Sequence, residues 1–82
     1  MNVYTRRFVA TCPNNGLPVE YTLVITTRAR MIPVEQIVSA TEAITSGYHE
    51  AIADHLVDQF GGRQVLVAHH HGVDIETVRR AK

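Results

Sequence analysis

The hydrophobic period of this chain changes from two to 3.6 and back again, and that double switch limits the fold more than any other feature. After Pro18, Val19, Tyr21, Leu23 and Ile25 alternate with Glu20, Thr22, Val24 and Thr26, the spacing of a strand with one face on a core. After Pro33, a residue favoured in a helix's first turn, Val34, Ile37, Val38, Thr41 and Ile44 follow the i, i+3, i+4, i+7 spacing of an amphipathic helix. Ser46-Gly47 interrupts it, with Ser46 placed to cap a second helix over Tyr48–Phe60 that stops at Gly61-Gly62. Tyr48, Ile52, Leu56 and Phe60 stripe one side of this second helix. His49 falls within that stripe and Glu50 outside it. From Arg63 the strand pattern returns through Val65–Ala68, meets His69-His70-His71-Gly72, and continues in Val73, Ile75 and Thr77. This tail reads as one bent strand or as two.

Upstream, Val3–Cys12 is rich in β-branched and aromatic residues and stops at the turn cluster Pro13-Asn14-Asn15-Gly16. The first two strands therefore form a hairpin, and Tyr4, Arg6, Phe8, Ala10 and Cys12 share one face of it. The order is β-β-α-α-β(-β), an α+β fold with a small antiparallel sheet and both helices on one face. At 82 residues the chain is a single domain, 1–82, with a thin core and open sheet edges, so a homo-oligomer is expected.

Charge and cysteine content narrow the function. Eight cationic and eight anionic side chains cancel, which argues against nucleic acid as a partner and against a polybasic membrane anchor. Lys82 is the only lysine, so Schiff-base chemistry is discounted. No apolar run approaches the roughly 20 residues of a membrane span, and Met1–Arg7 lacks a signal-like apolar block; a cytoplasmic protein is expected. A lone cysteine, Cys12, excludes an intrachain disulfide.

Three stretches could carry chemistry. Cys12-Pro13 sits at a strand end, where a thiol is reachable; the plainer reading is a small buried hydrophobe. His49-Glu50 opens a helix, where the backbone dipole alone accounts for a glutamate and an apolar stripe for a packed histidine. On an extended strand His69 and His71 share a face and, with Cys12 or Glu50 nearby, would complete a zinc site. No second ligand pair is announced elsewhere, so no metal is assigned. His55 reads as a surface side chain.

Phe8-x-x-x-Cys12-Pro13-x-x-Gly16-x-Pro18, followed by a strand, a helix and a second helix opening on His49-Glu50, resembles the tunnelling fold. Within it, the pattern is most similar to the nitrile reductase branch, the QueF-like cyano-deazaguanine enzymes of queuosine biosynthesis, over about residues 8 to 76. The resemblance implies β-β-α-α-β-β subunits whose sheets join into a barrel around a tunnel, with active sites between neighbours. It implies that Cys12 is the nucleophile that attacks the substrate nitrile to form a thioimide. Glu50 would hold a purine-like or pterin-like ring through its N–H groups, and His49 would assist binding or proton transfer. The chemistry is consistent: a carboxylate accepts adjacent N–H bonds, and a thiolate suits a nitrile carbon.

Two positions depart from the family's pattern. Where the family has a proton-transferring aspartate after the second proline, this chain has Val19, with Glu20 one residue later and facing the other way unless a bulge shifts the register. Where reductases carry a serine- and lysine-rich NADPH stretch, it has Pro33–Val38, with only Glu35 in a comparable place. The cofactor is therefore unknown: NADPH is implied by the resemblance and its motif is missing. Three readings remain open. They are a nitrile reductase or a QueF-like amidinotransferase acting without NADPH, a non-catalytic deazapurine- or pterin-binding or assembly protein on the same scaffold, and a hydrolytic metal site built from His69, His71 and Cys12.

Overall fold

A computed structural model describes residues 1–81. It contains β1 (Asn2–Thr11), β2 (Pro18–Thr27), α1 (Val34–Ala43), α2 (His49–Phe60), β3 (Arg63–His70) and β4 (Val73–Arg80). The strands form one antiparallel sheet in the order β1-β2-β3-β4, with the helix pair inserted between β2 and β3. The tail after Arg63 is thus two strands. His71 and Gly72 both adopt positive φ, 51° and 74°, the two-residue turn whose twist matches antiparallel strands.

Strand parity decides what is covered. Phe8, Ala10, Val19, Tyr21, Leu23, Ile25, Leu66 and Ala68 form the buried face, and Ile37, Ile52, Ala53, Leu56 and Phe60 of the helices close over it. The register is unbroken, Phe8 opposite Tyr21 opposite Ala68 opposite Ile75, so one face of the sheet takes both helices. Each buried Leu, Ile or Phe contributes about 1.5–3 kcal/mol, and among the described residues nine such side chains hold this short chain together. The opposite face, with Val24, Val65 and Val67 only partly covered, carries no helix.

The ends of α2 depart from the expected chemistry. Its N-cap is Tyr48, with no side-chain capping bond. Ser46 instead lies in a parallel bridge with Thr11, where Thr11 N–H donates to Thr45 O (2.9 Å) and Gly47 N–H donates to Thr11 O (3.2 Å). This backbone use of residues 45–47 draws the start of α2 to the end of β1. Tyr48 is consequently 60% exposed and drops out of the apolar stripe. At the other end, Gln64 caps α2 by donating from Nε2 to Leu56 O (3.0 Å) and Gly61 O (2.8 Å). α1 ends at Ala43, one residue before the last member of its apolar spacing, and is tied to β1 through Arg6 Nε, which donates to Thr41 Oγ1 at 3.0 Å. Among the described residues, no helix is long and apolar enough to cross a membrane.

Candidate functional site

Cys12 follows β1 directly and is held by its own loop. Its N–H donates to Leu17 O (2.9 Å), and Gly16 N–H donates back to Cys12 O (2.8 Å). Gly16 takes φ 71°, a conformation that disfavours residues with a Cβ, which explains the glycine within the Cys-Pro-x-x-Gly-x-Pro spacing. The thiol is free and half-buried, packed against the helix-covered core. It is neither sealed in the interior nor fully in solvent.

Tyr21, on the same face, stacks on Phe8 at 5.1 Å between ring centroids and on the His49 imidazole at 5.8 Å. Burial raises the Tyr21 phenol above its ordinary pKa, and the neighbouring Cys12 thiol, when ionised, pushes it further in the same direction. Tyr21 therefore stays protonated beside the thiol. His49 continues the row, with Nε2 2.6 Å from Thr77 Oγ1 on β4. Its Nδ1 is buried without a hydrogen-bond partner. Burial lowers the His49 pKa, with Glu50 opposing the shift and Arg79 reinforcing it. The ring is thus neutral at pH 7, with one nitrogen engaged and the other unsatisfied.

Glu50 lies outside this row. Its carboxylate is ion-paired with Arg79 of β4, which also donates from Nε to Asp54 Oδ1 at 2.8 Å. The Glu50 side chain is 68% exposed, so its carboxylate keeps open sites for further donors. Glu20 lies on the other side of the sheet. It pairs in register with Val9 and His69, with no bulge in either ladder, and lines a shallow concavity with Arg7 and His69. Within one chain the sheet therefore separates Glu20 from Cys12, and no direct proton path joins them.

The histidine run is also rearranged. His71 turns out of the strand into the β3–β4 hairpin, where its Nε2 lies 3.1 Å from Asn15 Nδ2 of the cysteine loop. His69 Nδ1 contacts Asp74 Oδ1 at 2.5 Å on the uncovered face. His69 and His71 therefore do not share a face, because the turn's positive φ ends the alternation that would have aligned them. With Cys12 on the helix side, the expected trio does not converge. Among the described residues no three His, Cys, Asp or Glu side chains gather at metal-binding distance.

Tyr21, Thr77 and Arg79 join the site without having been singled out from the sequence. For Tyr21 the signal was present, since strand parity places it on the face of Cys12. Thr77 and Arg79 reach His49 and Glu50 across 28 and 29 residues, through pairing that no local pattern announces.

No protein-family model matches the chain. No curated protein matches it. Among solved structures it is similar to the archaeosine synthase QueF-Like in its apo form, with a TM-score of 0.79 and 15% identity over 98% of this chain and 91% of that one. At that identity the likeness is one of fold: the chain has the tunnelling fold of the QueF-like proteins, as its cysteine motif and element order lead one to expect.

Proposed function

We propose that this chain is a tunnelling-fold enzyme that forms a covalent adduct between Cys12 and the nitrile of a deazapurine, and completes an addition of ammonia without redox chemistry. The observation that carries the reading is the half-buried, unpaired Cys12 beside a protonated Tyr21, whose ring stacks on a neutral His49, at the end of β1 that backbone hydrogen bonds tie to the start of α2. The fold shared with an archaeosine synthase supports the same substrate class.

In this mechanism the Cys12 thiolate attacks the nitrile carbon, one π pair of the C≡N bond moves to nitrogen, and nitrogen takes the proton given up by the thiol. The product is a thioimide. Ammonia then adds to the same carbon and gives up one proton, the C–S bond breaks with its pair returning to sulfur, sulfur takes that proton, and an amidine leaves. Nitrile plus ammonia equals amidine, so no oxidant or reductant is consumed. His49, neutral and with Nδ1 unsatisfied, moves the proton; Glu50, steadied by Arg79, accepts ring N–H groups. Active sites complete themselves between subunits of a homo-oligomer, for which the free edges of β1 and β4 are available.

NADPH does not fit the stretch the resemblance assigns to it. Pro33–Val38 presents no serine or lysine, and Glu35, the charged group in the first turn of α1, would repel cofactor phosphates. No step is routed through that cofactor.

The test is product analysis with the full chain, the nitrile-bearing deazaguanine and ammonium, and no nicotinamide. The amidine forms with the wild-type chain and is lost by at least about a hundredfold in Cys12→Ala, the range expected when a nucleophile is removed. Equal turnover in Cys12→Ala, or no consumption of nitrile by the wild type, would overturn the reading.

A further inference from the structure

The end of the sheet opposite Cys12 gathers positive charge. Arg28 and Arg30 follow β2, Arg63 opens β3 and Arg80 closes β4, and these four arginines line one concavity of roughly 500 Å³ that contains no acidic residue. Half of the eight cationic side chains of a neutral protein thus lie in one place. Nine residue steps along β1, from the Thr27 pairing at Asn2 to Thr11, put this concavity about 30 Å from the cysteine loop.

Two observations set it apart from a solvated surface. Arg63 and Arg80 are direct cross-strand partners on the uncovered face, an arrangement in which like charges repel. Among the described residues, no carboxylate pairs with Arg28, Arg30, Arg63 or Arg80, whereas Arg6 and Arg79 both have acidic partners. Arg30 and the backbone beneath it are held in place. Arg30 donates from Nη1 to Phe60 O at 2.6 Å, and its own carbonyl accepts from Thr27 Oγ1 at 2.7 Å. Gly62, at φ 70°, lets β3 approach so closely that a Cβ there would stand 2.6 Å from Thr26 O.

We propose that this concavity is a binding site for an oligophosphate, a ligand carrying at least two linked phosphates. Guanidinium groups match phosphate oxygens in paired hydrogen bonds, and four of them exceed the charge that a single phosphate dianion neutralises. The ligand relieves the Arg63–Arg80 repulsion. Outside the concavity the chain carries eight acidic against four basic side chains and offers no continuous track for a long polyanion, so the occupant is small. The site is independent of the Cys12 chemistry.

Isothermal titration calorimetry of the full chain with pyrophosphate, at ionic strength held constant with sodium chloride, tests this. Saturable binding is expected, with orthophosphate weaker. Arg63→Gln and Arg80→Gln, both exposed and checked for unchanged melting temperature, each weaken pyrophosphate by roughly tenfold, the size of one lost charge-assisted contact. Arg7→Gln, on the same face but away from the cluster, leaves affinity unchanged. ATP displaces pyrophosphate. The proposal is overturned by the absence of saturable heat, by equal affinity for the two phosphates, or by an equal loss in Arg7→Gln. It is overturned too if a short RNA duplex displaces pyrophosphate at lower concentration than ATP, or if the two arginine variants alter only the oligomeric mass.

Discussion

His49 shows how one side chain joins packing to chemistry. Its imidazole stacks on Tyr21, bonds Thr77 and leaves Nδ1 buried and unpartnered, an arrangement that suits the neutral ring and penalises the cation. Its folded pKa therefore lies below the ordinary 6.5. As pH falls through about 6.5 the unfolded chain takes up a proton that the folded chain refuses, so stability present above that pH is lost progressively below it, until the folded ring also titrates. Glu50 on the same helix and Arg79 on β4 are the charged groups that tune this balance. Urea denaturation of wild type and His49→Gln at several pH values should show a slope below about pH 6.5 that is reduced in the variant. Parallel curves for the two proteins would remove His49 as the source. Glu50 differs from its neighbour: it is exposed and ion-paired, and pairs of this kind add about 0–1 kcal/mol to stability, so its value lies in what it binds.

The strands and helices were largely legible in the sequence because each buries one face. Val19, Tyr21, Leu23 and Ile25 alternate cleanly and are all buried, and the Ile52, Leu56 and Phe60 stripe of α2 packs as its spacing requires. What was not legible depends on long-range pairing or on backbone use of polar segments. Ser46 serves a bridge to Thr11 in place of a helix cap, and His71 leaves its strand because the hairpin turn needs positive φ. His69, His71 and Cys12 do not converge within one chain for that same reason, and Glu20 stays on the far face because β2 has no bulge. Gly62 marks where β3 begins against β2, with both a left-handed φ and no room for a side chain. Gly62→Ala should cost about 1–3 kcal/mol, read as a lower melting temperature, whereas Gly16→Ala, with open space around it, should cost less. Equal losses at the two positions would show that the tight contact with Thr26 contributes nothing.

As an assembled object, the chain is a four-stranded sheet with one face closed by helices and the other left open. Its two ends differ in chemistry. At one end the cysteine loop, the start of α2 and the β3–β4 turn converge, through Thr11–Thr45 and Asn15–His71 contacts, around a thiol that is partly accessible. At the other, arginines without acidic partners collect. That separation follows from the meander, since antiparallel strands return the start of β1, the end of β2, the start of β3 and the end of β4 to the same edge of the molecule. The tunnelling fold accounts for the architecture; the Cys12 adduct is the claim that gives it a function. Intact-protein mass spectrometry after incubation with the nitrile-bearing deazaguanine, without ammonia or nicotinamide, tests that claim most directly. The account predicts a mass increase of one ligand per chain that disappears in Cys12→Ala, and an unmodified wild-type chain whose thiol still reacts with iodoacetamide would contradict it.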